Sequence, residues 1–228
     1  MTPAPTSAVL ILSGGLDSTT LLYDMTASGA RVDALTFNYG QRHRVEIEAA
    51  RYVCSLLGVR HDVVDLRGVG GLLSEGGSAL IDDEVAVPDG HYADESMKAT
   101  VVPNRNMIML AVAGGIAVAR RLEAVAYAAH AGDHAIYPDC RPEFAEAVGD
   151  ALELCDWHHV RLWRPYVEDT KAQIAARAIA LDVPIAATWS CYKGGAVHCG
   201  TCGTCVERRE AFYLAGVTDP TAYEGATK

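Results

Sequence analysis

Basic residues are scarce in this chain, and their scarcity argues against one class of function. The 228 residues include 19 Lys and Arg against 29 Asp and Glu, a formal net charge of −10. Proteins that hold a long stretch of nucleic acid do so with clustered Lys and Arg on the phosphate backbone. We therefore expect no nucleic-acid partner, and the composition leaves room only for a local basic patch.

Long apolar runs are also missing. No segment approaches the roughly 20 residues that span a bilayer, and the N-terminus lacks the basic start and apolar stretch of a secretory signal. The sequence therefore predicts a cytoplasmic protein without a membrane partner. Seven cysteines, an odd number with four of them bunched, favour a reduced compartment and a metal site over a disulfide framework.

The chain does contain a clear alternation of strand-like and helical patterns. The strand-like runs cover residues 8–12, 31–37, 61–64 and 124–129, and helical patterns cover 19–28 and 45–57. Such alternation is typical of an α/β protein with a doubly wound, mostly parallel sheet that helices cover on both faces. Gly58 is predicted to end the second helix as a left-handed C-cap, and Pro142 to begin a later one.

Two segments depart from this alternation. Residues 68–100 are rich in glycines, acids and prolines and are too long for a simple connection, so we expect a functional loop or lid there. After Pro184 a short cysteine-rich piece leads into a helical pattern at 207–216. We predict an α/β domain over residues 1–185 and a metal-binding segment with a C-terminal helix over 186–228, packed as one unit.

A glycine turn connects the first predicted strand to the first helix. Its sequence is Ser13-Gly14-Gly15-Leu16-Asp17-Ser18-Thr19-Thr20. Backbone N–H groups, hydroxyls and the positive end of a helix would meet at this point, which suits a phosphate or pyrophosphate. The spacing matches neither G-x-G-x-x-G nor the lysine-containing G-x-x-x-x-G-K-[ST] loop. A simple capping turn is the alternative, but it would not need the flanking hydroxyls.

Four cysteines fall within fifteen positions near the end of the chain: Cys191, Cys199, Cys202 and Cys205. The C-x-x-C-x-x-C spacing with an upstream cysteine brings four thiolates around one cation, and two interspersed glycines permit the tight turns. We interpret this as a structural zinc site, because four cysteines leave no open coordination position. An iron–sulfur cluster is the alternative, although the usual C-x-x-x-C-P continuation is missing.

The sequence also predicts roles for residues near the cysteine cluster and for the remaining cysteines. Arg208 and Arg209 are expected to offset the excess negative charge of the thiolates. His198 is expected to be solvated or to lie beside the metal rather than to be a ligand, because four thiols are already available. Cys155 is expected to be a buried thiol on a helix, and Cys140 stays open between a nucleophile and a small buried residue that holds a turn.

The glycine turn resembles the pyrophosphate loop of the ATP pyrophosphatase superfamily, and further motifs follow in order. They are Phe37-Asn38-Tyr39-Gly40-Gln41-Arg42-His43, Val102-Pro103-Asn104-Arg105-Asn106, Tyr137-Pro138-Asp139-Cys140-Arg141-Pro142-Glu143-Phe144, and Ser190-Cys191-Tyr192 with the cysteine cluster. From about Leu10 to Phe212 the series resembles that of the 7-cyano-7-deazaguanine synthases. One departure is Ile136, where the family commonly has glycine.

This resemblance implies an adenine nucleotide alpha hydrolase-like fold and an ATP-dependent carbon–nitrogen ligase of queuosine biosynthesis. The reaction would convert 7-carboxy-7-deazaguanine and ammonia to 7-cyano-7-deazaguanine through an acyl-adenylate and an amide, with a second adenylation giving the nitrile. The resemblance also implies Mg²⁺ with ATP, one structural Zn²⁺ per chain and a homodimer. Other readings are a different amide-forming ligase of the superfamily, a tRNA-modifying ATP pyrophosphatase, or a zinc-stabilised nucleotide sensor.

The motifs also assign candidate site residues. The loop predicts nucleotide contacts from Leu12, Ser13, Gly14, Gly15, Leu16, Asp17, Ser18, Thr19, Thr20, Leu21 and Leu22. Further nucleotide contacts are expected from Asn38, Tyr39 and Gln41, because ligands of open α/β sheets bind at the carboxyl ends of strands. Substrate contacts are expected from Arg42, His43, Asn104, Arg105, Asp139 and Arg141.

Catalytic roles are predicted for Asp17, Ser18, Arg105 and Asp133. Asp17 is the first candidate to hold magnesium, directly or through water, because Mg²⁺ prefers carboxylate oxygens. Two lysines, Lys98 and Lys171, stay open between a role in the site and a role in surface solubility.

Overall fold

The computed structural model describes residues 3–225, and a parallel five-stranded sheet lies at its centre. The strands are β1 (Ser7–Ile11), β2 (Arg31–Asn38), β3 (Arg60–Asp65), β4 (Ala124–Ala126) and β5 (Arg161–Trp163). They are ordered β3-β2-β1-β4-β5, and each neighbouring pair is parallel. The strand order reverses between β1 and β4, and such a switch point opens a crevice at the carboxyl ends of the strands.

Seven α-helices flank the sheet in the part of the chain that the structure describes. They are α1 (Leu16–Ala27), α2 (Val45–Leu57), α3 (Arg67–Leu73), α4 (Arg105–Ala119), α5 (Pro142–Leu154), α6 (Lys171–Ala180) and α7 (Gly203–Leu214). The predicted doubly wound α/β architecture is confirmed, whereas β5, α3, α4 and α6 were not anticipated. Among residues 3–225, no helix combines the length and the apolar character needed to cross a bilayer.

The sheet is buried on both faces, as the alternation of side chains along β1 shows. Ala8 and Leu10 pack with Leu21 of α1 on one face, while Val9 packs with Leu110 of α4 on the other. Successive side chains of a strand point to opposite faces, so a short apolar run serves two layers at once. Burial of each leucine contributes about 1.5–3 kcal/mol.

Local sequence signals set the helix ends that border the site. Gly58 ends α2 with φ +64°, which confirms the predicted left-handed C-cap, and Val59 N donates to the Cys54 carbonyl. Thr170 and Gln173 form a reciprocal capping box at the start of α6. The box fixes the first turn of α6 and with it the position of Lys171.

The segment at 68–100 is packed rather than extended into solvent. It contains most of α3 and a 3₁₀ turn at Glu95–Thr100. Leu80 and Met97 have no exposed surface, and Tyr92 is buried at the edge of the crevice. The expectation that the segment acts as a lid stays a prediction.

The C-terminal piece packs against the main sheet through α6 and α1. One cluster joins Leu16 of α1, Ala175 and Ala178 of α6, and Ala211 and Phe212 of α7. The division into 1–185 and 186–228 stays a prediction about folding units, and at its ends residues 1, 2 and 226–228 lie outside the described residues.

Candidate active site

A cavity lies at the carboxyl ends of β1, β2 and β4, where the strand order reverses. It has two parts with different chemistry. The loop end comprises Ser13, Gly15, Asp17, Ser18, Lys171 and Glu207. The aromatic end comprises Tyr39, Tyr92, Arg105, Tyr127, Tyr137 and Tyr192.

Gly14 gives the loop end its shape. It has φ +82°, and a Cβ at this position would lie 2.3 Å from the Glu46 carbonyl oxygen and 2.8 Å from Ala50 N. A larger residue would therefore both strain the backbone and collide with α2. Glycine here lets the chain turn from β1 into α1 while touching α2.

Two serines of the turn are linked to each other. Ser13 Oγ lies 3.0 Å from Ser18 Oγ and accepts a hydrogen bond from Gly15 N at 3.2 Å. Ser13 N donates to Ser18 Oγ at 3.2 Å. These bonds hold two hydroxyls at the positive end of α1, where an anion is electrostatically favoured.

A buried ion pair faces the same point. Lys171 Nζ lies 2.5 Å from Asp17 Oδ2 and 3.5 Å from Glu207 Oε2. Burial opposes ionisation of Asp17, but the Lys171 and His130 side chains outweigh it and lower the pKa of the carboxyl. Burial likewise opposes the charge on Lys171, yet Asp17 and Glu207 raise its pKa overall. Both groups are therefore charged at neutral pH.

Asp17 keeps one oxygen for a ligand. Its Oδ1 is buried and has no hydrogen-bond partner among the described residues. An unpaired buried carboxylate oxygen is costly unless a cation or donor meets it. This donor suits Mg²⁺, which prefers oxygen ligands.

Asp133 lines the cavity, and His130 lies beside it with its Nε2 3.9 Å from Asp17 Oδ2. They form a capping box in which His130 Nδ1 accepts from Gly132 N at 3.0 Å and Asp133 Oδ2 accepts from His130 N at 3.2 Å. Since Nδ1 accepts, the proton of a neutral imidazole is on Nε2, which lies 3.5 Å from Asp133 Oδ1. Tyr92 OH donates to that same Oδ1 at 3.0 Å.

The aromatic end is a chamber of tyrosines around one guanidinium. Arg105 Nη1 donates to Tyr39 OH at 3.3 Å, and burial raises the pKa of Tyr39 to about 12. Tyr137 OH lies 3.5 Å from Tyr192 OH. Tyr127 OH is buried and has no hydrogen-bond partner within residues 3–225. The chamber therefore suits a flat, heteroatom-rich anion.

A polar corner joins α2 to the chamber. Gln41 Nε2 donates to the Phe37 carbonyl and to Glu46 Oε1, both at 2.9 Å. His43 Nε2 lies 3.4 Å from Glu46 Oε2. Burial raises the pKa of Glu46 to about 7, and burial together with Arg105 lowers the pKa of His43 to about 3.

The structure brings together about half of the predicted site residues. Those that line the cavity are Leu12, Ser13, Gly15, Leu16, Asp17, Ser18, Tyr39, His43, Arg105 and Asp133. They come from the glycine turn, the segment after β2, the start of α4 and the turn after β4. The ligand contacts predicted for them stay predictions.

The other predicted residues lie outside the cavity lining. Gly14, Thr19, Thr20, Leu21 and Leu22 are buried in the turn and α1, and Asn38 and Gln41 bond to their own loop. Arg42 donates to the Asp82 and Val85 carbonyls, Asn104 precedes α4 with φ +55°, Asp139 accepts from Asn106 N, and Arg141 donates to the His134 carbonyl. Their direct ligand contacts stay predictions as well.

Sequence reasoning missed several residues of the lining. Glu46, Glu207, Tyr127, Trp189 and Tyr192 all face the cavity. Tyr192 was inside a recognised motif, whereas nothing in the local pattern marks Glu207. Glu207 lies about one turn into α7, which begins at Gly203 rather than at the predicted 207. Lys171 lies in the cavity wall, and Lys98 is exposed beside Glu95.

The four cysteines of the cluster converge at one buried point. Their ligand atoms all lie within 4.8 Å of one another, and Cys199 Sγ is 3.9 Å from Cys205 Sγ. Tetrahedral Zn–S bonds of about 2.3 Å place sulfurs roughly 3.8 Å apart. Cys199 Sγ also accepts from Cys202 N at 3.3 Å. The cluster therefore fits a metal ion.

The structure bears differently on the expectations for His198, Cys140 and Cys155. His198 is buried, and its Nε2 accepts from Ser190 N at 3.0 Å while its ring lies 4.4 Å from that of Trp189. Burial raises the pKa of Cys140, whose Sγ accepts from Asn106, which favours the reading as a buried residue over a nucleophile. The expectation for Cys155 is wrong: it is exposed, because it follows the last turn of α5.

Comparisons with known proteins identify a matching family and several similar proteins. Residues 7–216 match the family model described as "Queuosine biosynthesis protein QueC". The chain is 56% identical over 220 residues to the 7-cyano-7-deazaguanine synthase of Rhizobium johnstonii, covering 95% of this chain and 91% of that protein. It is 55% identical over 217 residues to the 7-cyano-7-deazaguanine synthase of Ruegeria pomeroyi, covering 94% and 93%.

A solved structure with a similar fold is that of NMN synthetase from Francisella tularensis. The two share 16% sequence identity with a TM-score of 0.53, over 95% of this chain and 79% of the other. This likeness bears on the fold alone and agrees with the predicted architecture. The match to the family model and the close relatives confirm the resemblance drawn from the motifs, and the chain therefore belongs to the QueC family of queuosine-biosynthesis enzymes.

Proposed function

We propose that this chain converts 7-carboxy-7-deazaguanine, ammonia and ATP to 7-cyano-7-deazaguanine. The relatives named 7-cyano-7-deazaguanine synthase support this substrate class. The observation that carries the proposal is the continuity of the cavity. A turn suited to pyrophosphate and a chamber suited to a flat anion share one space, so a carboxylate can meet the α-phosphorus of ATP.

The first half of the proposed reaction activates the carboxylate. One carboxylate oxygen attacks the α-phosphorus, the bond to the β-phosphate oxygen breaks, and pyrophosphate leaves toward Ser13 and Ser18. The product is an acyl-adenylate. Ammonia then attacks the acyl carbon, AMP leaves with the bonding electrons, and loss of a proton gives the amide.

The second half removes the amide oxygen. That oxygen attacks the α-phosphorus of a second ATP, and pyrophosphate leaves as before. The C–O bond to AMP then breaks while nitrogen loses its remaining protons, which leaves the C≡N group. Each nitrile therefore consumes two ATP and releases two AMP and two pyrophosphates.

The residues of the loop end have distinct proposed roles. Ser13 and Ser18 hold the leaving pyrophosphate, and Lys171 stabilises the charge that develops on it. Asp17 would hold magnesium through its unpaired oxygen, and bound magnesium supplies charge neutralisation at the phosphates. Lys171 in turn fixes the orientation of the Asp17 carboxylate.

Arg105 and Asp133 act at the aromatic end in this proposal. The Arg105 guanidinium holds the substrate carboxylate and the oxyanion that forms when ammonia attacks. Asp133, fixed by Tyr92 OH and by His130 N, accepts a proton from the incoming ammonium. Free ammonium is the proposed nitrogen source.

Product analysis tests the proposed function. Purified protein with 7-carboxy-7-deazaguanine, ammonium chloride, MgCl₂ and ATP is expected to form the nitrile, seen by mass spectrometry, with about two AMP per nitrile. Asp17→Asn should lower the rate of AMP formation and weaken its magnesium dependence, whereas Asp150→Asn on the exposed side of α5 should not. An amide end product would assign another amide-forming ligase, and release of ADP would overturn the proposal.

We also propose that the cysteine cluster holds one structural Zn²⁺ per chain. Buried sulfurs at tetrahedral spacing support a closed site. Elemental analysis should give one zinc per chain without visible absorption. Iron and sulfide with a broad visible absorption band would instead indicate an iron–sulfur cluster.

The proposed assembly is a cytoplasmic homodimer with small-molecule partners and no nucleic acid. Leu154 ends α5 and is 84% exposed, and Trp157 in the following bend is 98% exposed. Together they give an apolar surface that a second copy can cover. Sedimentation should show a dimer that Trp157→Ser weakens. A monomer at micromolar concentration would contradict the dimer.

A further inference from the structure

Arg208 is a charged residue that the proposed reaction does not use, yet it has no exposed surface. It lies on α7, three positions after Cys205. Its Nη1 donates to Thr188 Oγ1 at 2.8 Å and to Ser190 Oγ at 3.0 Å, and its Nη2 donates to the Ile185 carbonyl at 3.0 Å. Burial of a guanidinium is costly unless it is paired, so these contacts define its position.

A carboxylate balances the other side of the guanidinium. Arg208 Nε lies 3.5 Å from Asp219 Oδ1. Asp219 is itself held by Tyr223 OH at 2.5 Å and by Thr221 N at 3.0 Å. Asp219 therefore contacts one side of the guanidinium, and the Nη1 and Nη2 groups on the other side bind the segment 185–190.

The segment that Arg208 holds touches the glycine turn. Trp189 lies between the two hydroxyl acceptors, and its N donates to the Gly14 carbonyl at 2.9 Å. The Trp189 carbonyl oxygen lies 3.5 Å from the position that a Cβ would take at Gly15. Arg208 thus reaches the loop end of the cavity through one intervening residue.

The same segment is tied to the cysteine cluster. Trp189 Nε1 donates to the Cys191 carbonyl at 2.8 Å, and Ser190 N donates to His198 Nε2 at 3.0 Å. On the other side, Cys205 precedes Arg208 by about one turn of α7. Arg208 therefore sits at the junction between the cysteine cluster and the glycine turn.

We propose that Arg208 is a positioning residue that couples the cysteine cluster to the glycine turn through the segment 185–191. With Arg208 in place, Trp189 holds the Gly14 carbonyl and the turn is formed before ATP arrives. A preformed site avoids the ordering cost that a mobile loop would incur on binding. Loss of the Arg208 contacts weakens ATP binding more than it slows the chemical step.

Two substitutions of Arg208 test this role. Arg208→Lys keeps the charge but cannot reach all three acceptors, and Arg208→Gln removes the charge. We expect the KM for ATP to rise about tenfold to a hundredfold, since ATP binding must then also order the turn, and each lost charge-assisted bond changes that ordering equilibrium by roughly a factor of ten. The kcat should fall by no more than about threefold, the loss should be smaller for lysine, and metal content should be unchanged.

Hydrogen exchange gives a readout that does not depend on turnover. In nucleotide-free Arg208→Lys, amides 14–18 should exchange about tenfold faster than in the wild type. The matched control is Arg209→Gln, because Arg209 is exposed and its guanidinium lies 5.6 Å from the Tyr223 ring centre. Arg209→Gln should leave both the exchange and the KM for ATP within twofold of the wild type.

A milder variant covers the case in which both Arg208 variants fail to fold. Thr188→Val removes one acceptor and leaves the guanidinium buried, and it should raise the KM for ATP about threefold to tenfold. If the variants lower the thermal midpoint but leave amides 14–18 and the KM for ATP within twofold of the wild type, Arg208 has only a scaffold role and the proposal is overturned.

The outcome is separable from that of the proposed function. Binding of α,β-methylene-ATP with MgCl₂, followed by titration calorimetry, involves no deazapurine. If the wild type makes no nitrile but Arg208→Lys still weakens this binding, the proposed reaction fails and the positioning role stands. If nitrile is formed and Arg208→Lys binds the analogue as the wild type does, only the positioning role fails.

Discussion

The loop end and the aromatic end of the cavity are built in opposite ways. Four residues of the loop end lie within one turn of six residues, 13–18, and backbone geometry at Gly14 sets its shape. The aromatic end draws its side chains from segments between positions 39 and 192, and their packing sets its shape. The shape of the loop end therefore depends mainly on local backbone conformation. The shape of the aromatic end depends on the packing of the whole fold.

This difference predicts how each part responds to mutation. Changes at the loop end should affect ATP and leave the deazapurine acid bound, because they alter a turn or a charge beside the phosphates. Changes at the aromatic end should affect the acid and leave ATP bound. Measured KM values for the two substrates therefore separate the two ends.

The largest effect is expected from Lys171→Met. Removal of one preorganised charge at a developing anion costs about a hundredfold to a thousandfold in kcat, and here it also leaves Asp17 without its partner. Steady-state kinetics with saturating acid would measure the loss. Lys98→Met is the matched control, because Lys98 is 61% exposed and its one ion pair among residues 3–225 is with Glu95. A similar loss of kcat in both variants would contradict a specific role for Lys171 at the phosphates.

Gly14→Ala should follow, with a large loss of ATP affinity and stability. Gly29→Ala is its control, because both glycines have φ near +80° but a Cβ at Gly29 meets nothing within 4 Å. The control should lose about 1 kcal/mol from backbone strain alone. Gly14→Ala should lose at least about 3 kcal/mol and bind ATP about a hundredfold more weakly, since its Cβ would meet the Glu46 carbonyl. Denaturant unfolding and calorimetry would measure both quantities.

Glu46→Gln should change how stability depends on pH. Burial raises the pKa of Glu46 from 4.5 to about 7, so between these values the folded protein binds more protons at this residue than the unfolded chain. The free energy of unfolding contributed by Glu46 therefore falls as pH rises through this window. At pH 8 Glu46→Gln should be more stable than the wild type by about 1–3 kcal/mol.

The advantage of Glu46→Gln should shrink toward pH 5, where Glu46 is protonated in the folded protein. Urea unfolding at pH 5, 6, 7 and 8 would show this trend. Glu48→Gln, on the exposed side of α2, serves as the control and should show no such trend. A constant difference between wild type and Glu46→Gln at all four pH values would contradict a raised pKa.

The smallest effect is expected from Tyr127→Phe. This substitution should stabilise the free protein but weaken its binding of the deazapurine acid. Its hydroxyl is buried without a partner among residues 3–225, so its removal should stabilise the free protein by about 1 kcal/mol. If the hydroxyl bonds the deazapurine, the KM for the acid should rise about tenfold while that for ATP stays constant. Tyr213→Phe, which is 83% exposed, is the control. A change in the KM for ATP would contradict the assignment of Tyr127 to the aromatic end of the cavity.

The two ends also explain what the sequence predicts. Ser13 and Ser18 were found because glycines and hydroxyls at fixed spacing specify a local turn, and the cysteine cluster was found for the same reason. Lys171 and Glu207 reach the loop end on α6 and α7, so their proximity to Asp17 depends on helix packing. No local pattern encodes such a distance.

Two kinds of element also escaped the fold prediction: very short strands and helices without a polar face. The three-residue strand β5 has too few positions to show an alternation. Helix α4 lacks the amphipathic pattern of a surface helix, because its exposed face also carries apolar or small residues, namely Met107, Ala111, Gly115 and Ala119. The mostly parallel sheet was nevertheless predicted, since it depends on alternation over the whole chain.

Trp189 in the cavity wall gives the enzyme an intrinsic optical probe. The three indoles occupy three environments: Trp157 on the surface proposed to face a second copy, Trp163 in the core, and Trp189 beside His198 and the cavity. Emission from Trp157 should be insensitive to nucleotide, because this ring lies outside the cavity lining. A Trp157→Phe protein would therefore fluoresce mainly from the two other rings, and quenching on addition of nucleotide would report on the one that borders the turn.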